Sequence, residues 1–413
     1  MEIKTFSDQE IRKFRDETRG TSERIHFNNA GASLPTNVVV DTVIHYLKEE
    51  AVYGGYETEY VHRDALDNVY TLIAKLIHAE KSEIAIAENA SMAWGLAFNG
   101  IDFKKGDCVI TSEMEYITNL LGFLHAKEKF GIEIKVISND ENGNFPLSAL
   151  EAAISPQTKL IAITHVASSS GVVLPVREIG EIARRHGILY LVDACQTVGQ
   201  MPIDVQEIGC DILAATGRKF LRGPRGTGFL YVRKELRNKL NVFFLDGHTA
   251  SLISEEKFAI REDGRRFEVF EKNRALTLGL GKAIEYALGI GLGRIWQRIQ
   301  FLAKEMRCRL DDIEGIQMHD RGDLKCGIVT FSVGKMEASQ VKAELAAKKI
   351  NVSVGPANLT LIYMKKNHLR TMVRASVHYY NTVEEINQMA EALNSLVRSS
   401  QPSVAEGDLQ EYR

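Results

Sequence analysis

The stretch "DILAATGRKFLRGPRGTGFLYV", residues 211–232, decides how this chain is read. It begins as an apolar run, packs four basic residues and four glycines into positions 217–228, and then turns apolar again. Two short apolar segments around a Gly-rich, basic loop read as two strands with something anionic held between them. Lys219 sits between a Thr-Gly-Arg approach and a Gly-Pro-Arg-Gly exit. The rest of the chain must explain what that lysine serves.

The basic cluster is local. The 413 residues carry 51 Lys and Arg against 54 Asp and Glu, a net charge of −3. That balance gives no bulk attraction to nucleic acid or to an anionic membrane. Hydrophobic residues are 45% and charged residues 25%, ordinary for a globular protein and enough chain for a large core and two domains. The five cysteines, Cys108, Cys195, Cys210, Cys308 and Cys326, are odd in number and scattered without a C-x-x-C. They argue against a disulfide framework or a zinc site, and no metal is expected. The polar N-terminus "MEIKTFSDQEIRKFRDETRG" has no apolar core, and no run reaches the roughly 18 apolar residues of a membrane span. A cytoplasmic protein of a reducing compartment is the expectation.

Upstream of the lysine a rhythm sets in at residue 83. "EIAIAEN", "CVITS", "EIKVIS", "KLIAITHVA", "LYLVDACQ" and "DILAATG" read as strands, separated by helical runs such as "ASMAWGLAFNGI" and "REIGEIARRHG". "LIAIT" and "LYLVD" lack apolar/polar alternation, which predicts strands covered on both faces. This is an α/β domain with a mainly parallel sheet, and in such sheets ligands sit at the carboxyl ends of the strands. Before it, "TNVVVDTVIHYLKEEAVYGG" predicts a helix capped by Thr36 and ended at Gly54-Gly55, and "RDALDNVYTLIAKLIHA" predicts a second. After about residue 276 the texture changes to one or two long helices, then "CGIVTFSV", a helix at "EASQVKAELAAKKI", "NVSVG", "MVRASV" and a last helix, which together form a smaller α+β domain. The expected division is an N-terminal segment 1–21 packing on the small domain, a large domain 22–275, a small domain 276–400 and a flexible tail 401–413.

The predicted strand ends collect polar residues: Tyr116, His165 and Ser168, Asp193 and Gln196, then Thr216, Arg218 and Lys219. A lysine can form a Schiff base with an aldehyde, and a buried carboxylate can keep a pyridinium nitrogen protonated so that the ring draws electrons. Thr, Arg and the helix start at "NASMAW" suit a phosphate. These are the parts of a pyridoxal phosphate (PLP) site. Asp193 as a helix N-cap and Arg374 as a surface ion-pair residue are the plainer alternatives. His165 reads as structural or as a ring neighbour, and Cys195 as a small buried residue.

The blocks "VDACQ" and "ATGRKFLRGPRGTGFLYV", followed by "VRASVHYYNTVEEI", resemble the class V aminotransferase family over roughly residues 24–395. These are fold type I PLP-dependent enzymes that include cysteine desulfurases, isopenicillin N epimerase and hercynylcysteine sulfoxide lyase. The resemblance implies a large domain with a mainly parallel seven-stranded sheet, a smaller α+β C-terminal domain, PLP as cofactor, and a homodimer with sites at the subunit interface. It implies Lys219 as the Schiff-base lysine, Asp193 at the pyridine nitrogen and Gln196 at the phenolic oxygen. Ala90, Ser91, Thr216 and Arg218 would hold the phosphate, and Arg374 the substrate α-carboxylate. Tyr116 stands where desulfurases have a ring-stacking His, and Ser168 where many relatives have Asn. Asn29 and Tyr56, the latter in "AVYGGYETEY", are expected at the substrate, with packing the other reading of Tyr53 and Tyr56. "RRFEVFEKN" replaces the loop that desulfurases lend to the partner's phosphate site, a role Asn273 or Arg274 would take.

The region 351–374, where desulfurases carry a sulfur-accepting cysteine, has none. The expected activity is therefore C–S β-elimination on a cysteine-derived amino acid. Epimerisation or transamination, and a non-catalytic PLP-binding protein, are the alternatives.

Overall fold

The structure is a computed structural model and describes residues 5–400; the expected tail 401–413 lies outside the described residues. A seven-stranded sheet forms the large domain, with strands in the spatial order 84–87, 228–232, 212–216, 189–193, 158–164, 108–112 and 133–137. The strand Gly228–Val232 alone runs antiparallel to its neighbours. The Gly-rich stretch of residues 217–227 is thus the turn joining Ile212–Thr216 to that reversed strand.

The missing alternation has a direct cause. Along Leu189–Asp193, Tyr190 and Val192 enter one buried cluster while Leu191 enters a second on the opposite face. Ile161 and Ile163 face the first cluster, and Leu160 and Ala162 the second. Both faces are covered, so every position is apolar. The first cluster continues into the small domain through Val329, Phe331 and Met372.

The small domain is a four-stranded antiparallel sheet in the order 316–318, 328–333, 371–376, 353–356. The helices Leu292–Asp311 and Ala338–Ala347 pack on it, and Val383–Ser400 packs on both helices. The long helical run is two helices, Arg274–Ile290 and Leu292–Asp311, bent by 80°. The first lies on the helices Asn37–Tyr53 and Gly55–Ile77. The change of packing partner therefore falls at Gly291, whose φ of 93° suits only glycine well. No single helix among the described residues is long and apolar enough to cross a membrane.

Residues near the N-terminus tie the two parts together. Ile25–His26 pairs with Ile350–Asn351, and Arg15 bonds to Glu385 at 2.7 Å and to the Tyr380 carbonyl at 3.2 Å. Two local expectations differ from what is found. Thr36 occupies the N-cap position, but its hydroxyl caps nothing and is buried without a partner. The second helix begins at Gly55, well before Arg63, because Gly54 at φ 96° turns the chain within one residue and the helix resumes at once.

Candidate functional site

Asp193 ends its strand, and Thr216 ends the next one over. Asp193 does not cap a helix: its Oδ1 accepts from the Cys195 amide at 2.9 Å in a turn, and its Oδ2 accepts from Asn119 Nδ2 at 3.0 Å. Lys219 follows three residues after Thr216 and is buried at 9% exposure. Its Nζ lies 5.8 Å from the centroid of the Tyr116 ring. Burial pushes the Lys219 pKa down from its ordinary value, with Arg218 and Arg374 adding to the fall and the negative Asp193 opposing it. Tyr116 itself stands at the N-cap position of the helix Ile117–Phe130 without a side-chain capping bond, and burial raises its phenol pKa, so the ring faces the lysine as a neutral surface.

The lysine loop is held from behind by Arg222, a non-glycine residue at φ 62°. Arg222 donates to the Leu34 carbonyl at 2.8 Å, to Thr18 Oγ1 at 2.6 Å and to the Tyr379 hydroxyl, with its guanidinium 4.6 Å from the Tyr380 ring centroid. His378 bonds the Phe220 carbonyl at 2.8 Å. Five bonded or stacked groups from the N-terminal segment and the small domain thus fix the backbone on the C-terminal side of Lys219. Residue-type patterns near 222 gave no sign of this clamp.

Thr216, Arg218, Ala90 and Ser91 converge. Arg218 Nη1 donates to Thr216 Oγ1 at 3.1 Å. Thr216 pairs with Gly228, and a Cβ at 228 would stand 2.7 Å from Ala215 O, 2.9 Å from Asn89 C and 3.1 Å from Ala90 N. Only glycine there lets the start of the helix Ala90–Gly100 close on the strand ends. Asn89 Oδ1 takes the Met92 amide at 2.9 Å, leaving the amides of Ala90 and Ser91 at the helix's positive end. An anion between Arg218 and this helix start is chemically suited to the place.

Four polar atoms on the expected site residues and on His165 are buried without a partner: Gln196 Oε1, Ser168 Oγ, His165 Nδ1 and Arg374 Nε. Gln196 Nε2 is held by the Ala30 carbonyl at 3.1 Å, and Arg374 Nη1 by the Ser168 carbonyl at 3.2 Å. Burial lowers the Arg374 pKa to about 10 and the His165 pKa to about 4, so Arg374 is a buried cation and His165 a neutral ring. Buried hydrogen-bonding groups left unmet on these residues fit a polar ligand with an anionic end. A pyridoxal phosphate and an amino-acid carboxylate match this set of donors and acceptors.

Three further expected residues are engaged or placed as follows. Asn29 is fully buried, with Nδ2 on the Ser376 carbonyl at 2.7 Å and Oδ1 accepting from Tyr380 at 2.6 Å, so its amide is engaged in joining the N-terminal segment to the small domain. Tyr56 is exposed on its helix, and Asn273 caps the helix Arg274–Ile290 by accepting the Leu276 amide at 2.9 Å. Tyr56, Asn273 and Arg274 share a cleft of about 490 Å³ that also reaches Glu88, just ahead of the Ala90 helix.

Glu115 and Asn119 went unread, although Glu115 lies inside the "TSEMEY" strand end. Glu115 is buried, and one Asn119 amide nitrogen bonds both its carboxylate, at 2.7 Å, and that of Asp193.

Comparison with known proteins identifies the family. The family described as "Aminotransferase class-V" matches residues 25–389. A "Probable cysteine desulfurase" of Methanothermobacter thermautotrophicus is 33% identical over 377 residues, covering 89% of this chain and 94% of that one. Another, of Pyrococcus abyssi, is 32% identical over 389 residues, covering 93% and 96%. Among solved structures, the apo cysteine desulfurase from Thermococcus onnurineus NA1 superposes with a TM-score of 0.89 at 31% identity, covering 94% of this chain and 98% of that one. The resemblance read from "VDACQ" and "TGRKF" is borne out, and with it the fold type I architecture and PLP as the cofactor. This chain belongs to the class V aminotransferase family, as a PLP-dependent enzyme.

Proposed function

We propose that this enzyme is a C–S lyase that cleaves a cysteine-derived amino acid by β-elimination, with no sulfur-accepting cysteine of its own. The observation that carries the reading is where the thiols lie. Residues 351–374 fold as a strand end, the strand Ser353–Pro356, a 3-10 turn, the short helix Leu361–Lys366 and the start of the Thr371–Ser376 strand, all without a cysteine. Cys108, Cys210 and Cys326 are buried, and burial raises each thiol pKa. Cys195 is pinned beside Asp193, where burial and that carboxylate both keep it protonated. Cys308 is exposed, on a helix that packs against the small domain. A sulfur acceptor needs a mobile thiolate, and none of these positions offers one inside the pocket.

Bound PLP supplies the electron sink that lets a Cα proton and then a Cβ–S bond be given up. In this reading the chain's own groups do the rest. Lys219, its pKa lowered by burial, takes the Cα proton. Asp193 would partner the ring nitrogen, Gln196 the phenolic oxygen and Tyr116 the face of the ring, and Thr216, Arg218, Ser168 and the Ala90–Ser91 amides would hold the phosphate. Arg374 grips the α-carboxylate with the two-pronged geometry of a guanidinium. The net reaction is R–S–CH₂–CH(NH₃⁺)–COO⁻ + H₂O → R–SH + pyruvate + NH₄⁺.

The same reading has the enzyme working as a homodimer in a reducing compartment such as the cytoplasm. Val52, Tyr53, Tyr56, Tyr60 and Val61 are exposed side by side on the helices Asn37–Tyr53 and Gly55–Ile77, which favours a second copy covering them. A partner seated there would bring Tyr56, Asn273 and Arg274 of the cleft to a shared site.

The relatives named as cysteine desulfurases favour a second reading, persulfide formation on the enzyme. One experiment separates them. The enzyme is incubated with cysteine, cystine and S-conjugates, and pyruvate and ammonia are measured along with protein-bound persulfide. Lyase action gives equal pyruvate and ammonia, and a variant with all five cysteines replaced by Ala or Ser keeps the rate within a few-fold. Persulfide on one cysteine, with activity lost on replacing it, would return the enzyme to the desulfurases. Racemised substrate or a keto acid that retains its sulfur would indicate epimerisation or transamination.

A further inference from the structure

Glu115 is a carboxyl side chain at 2% exposure with no part in the proposed reaction. Its hydrogen-bond partners are all neutral: Thr111 Oγ1 at 2.9 Å on Oε2, and on Oε1 the Tyr116 amide at 2.9 Å, Asn119 Nδ2 at 2.7 Å and the Thr164 hydroxyl. They come from the strand before it, Cys108–Ser112, from the strand Thr158–Thr164, from the adjoining residue Tyr116 and from the helix that follows. The charge that acts on it most is a like one, Asp193. The cations Lys219, Arg218 and Arg374 gather around Asp193, Cys195 and Tyr116.

A carboxylate buried among neutral donors beside another carboxylate is costly to keep. For mere packing, glutamine has the same shape without that cost. The link between the two acids is also specific. An amide nitrogen carries two hydrogens, and Asn119 gives one to Glu115 and one to Asp193 Oδ2. The Asp193 carboxylate is thereby clamped between Asn119 and the Cys195 amide.

We propose that Glu115 is a positioning residue for Asp193, acting through Asn119. It holds the Asn119 amide in the orientation that fixes Asp193 Oδ2, and in its ionised form it sets a second negative charge behind the carboxylate that meets the cofactor's ring nitrogen. The inference rests on the reading of Asp193 as the ring-nitrogen partner. A second charge at this depth favours cationic forms of the bound cofactor and so raises the pH at which they lose a proton.

The test uses the PLP-loaded enzyme as Glu115→Gln, Asn119→Ala and the double variant, with Lys219→Ala as a control. In Glu115→Gln the new side-chain carbonyl still accepts from Asn119 and the Tyr116 amide, while the new amide nitrogen faces the Thr111 hydroxyl, which turns to accept. Charge is removed and the hook remains. The readouts are the pH midpoint of the cofactor's visible absorbance change, the cofactor dissociation constant, and kcat and KM. Glu115→Gln should lower the midpoint by about one unit and kcat roughly tenfold, with KM within about twofold. Its thermal midpoint should hold or rise, since a buried charge is gone. In the Asn119→Ala background the same change should move the absorbance midpoint less than half as far, because the two residues form one relay. Shifts that simply add, or a midpoint and kcat unmoved by Glu115→Gln, would overturn the proposal whatever happens to stability. If Glu115→Gln does not fold, an Asn119→Ala enzyme with wild-type kcat and absorbance midpoint overturns it alone. A wild-type spectrum in Lys219→Ala would instead sink the reading of the site itself, a separate outcome.

Discussion

Replacing Arg374 by methionine should impair substrate capture and leave the protein at least as stable. Arg374 is 6% exposed, makes one hydrogen bond, to the Ser168 carbonyl at 3.2 Å, and leaves Nε without a partner. Burial lowers its pKa to about 10, yet at neutral pH it is cationic in the folded and unfolded chain alike. The folded state holds that proton less tightly, so carrying the charge costs the fold on the order of 3 kcal/mol. Methionine of similar volume removes that cost and loses one bond worth about 1 kcal/mol, so the thermal midpoint of the cofactor-free protein should stay level or rise. A substrate carboxylate supplies the missing countercharge. Two charge-assisted bonds are worth about 1.5–3 kcal/mol each, which predicts a fall in kcat/KM of roughly 10²- to 10⁴-fold. The assay is steady-state kinetics with an S-substituted cysteine and with the corresponding amine lacking the carboxylate. The variant should lose its handicap on the amine, and the visible spectrum of bound PLP should not change. A kcat/KM within threefold of wild type, or equal losses on both substrates, would refute the role of Arg374.

Lys219→Ala should abolish turnover and change the visible absorbance of the bound cofactor, as read by spectrophotometry; a wild-type spectrum and rate would show the lysine is not the reacting amine. Asp193→Asn nearly preserves shape but keeps a single oxygen, so only one of the bonds from the Cys195 amide and from Asn119 survives; PLP should still bind while kcat falls at least tenfold, because a charge-assisted bond of about 1.5–3 kcal/mol is lost. Full activity in that variant excludes the electronic role. The pH dependence of stability should expose Glu115. Its folded carboxyl pKa is raised by burial from 4.5 to about 7, so the folded chain binds that proton more tightly than the unfolded chain. Its contribution to the stability of the cofactor-free protein should then fall as pH rises from about 4.5 to about 7 and level off above. Thermal midpoints of wild type minus Glu115→Gln across that range should decline, and a flat difference would contradict the burial argument.

Much of the site was legible because its residues stand at strand ends within one stretch of chain. The apolar runs of "LIAIT" and "LYLVD" reported sheet faces covered on both sides, and Asp193, Gln196 and Lys219 follow at separations set by one crossover. Local sequence carries that information, because a strand's pattern records what covers its own two faces. The Arg374 position came from family resemblance and not from periodicity, since strand pairing, Thr330 to Arg374, is what puts it across from the large domain. Other features depended on the tertiary structure alone. Asn29 is expected at the substrate, and only the fold shows Ser376 and Tyr380, some 350 residues on, engaging both ends of its side chain. Tyr56 and Asn273 are neighbours only because the helix Arg274–Ile290 lies along Gly55–Ile77. Glu115 carries no distinguishing signal along the chain, and its burial comes from Thr111, Thr164 and Asn119 closing around it. Burial of an apolar face is written along its own element. Burial of a polar group depends on which distant partners the crossovers bring to it, and no spacing along the chain encodes that.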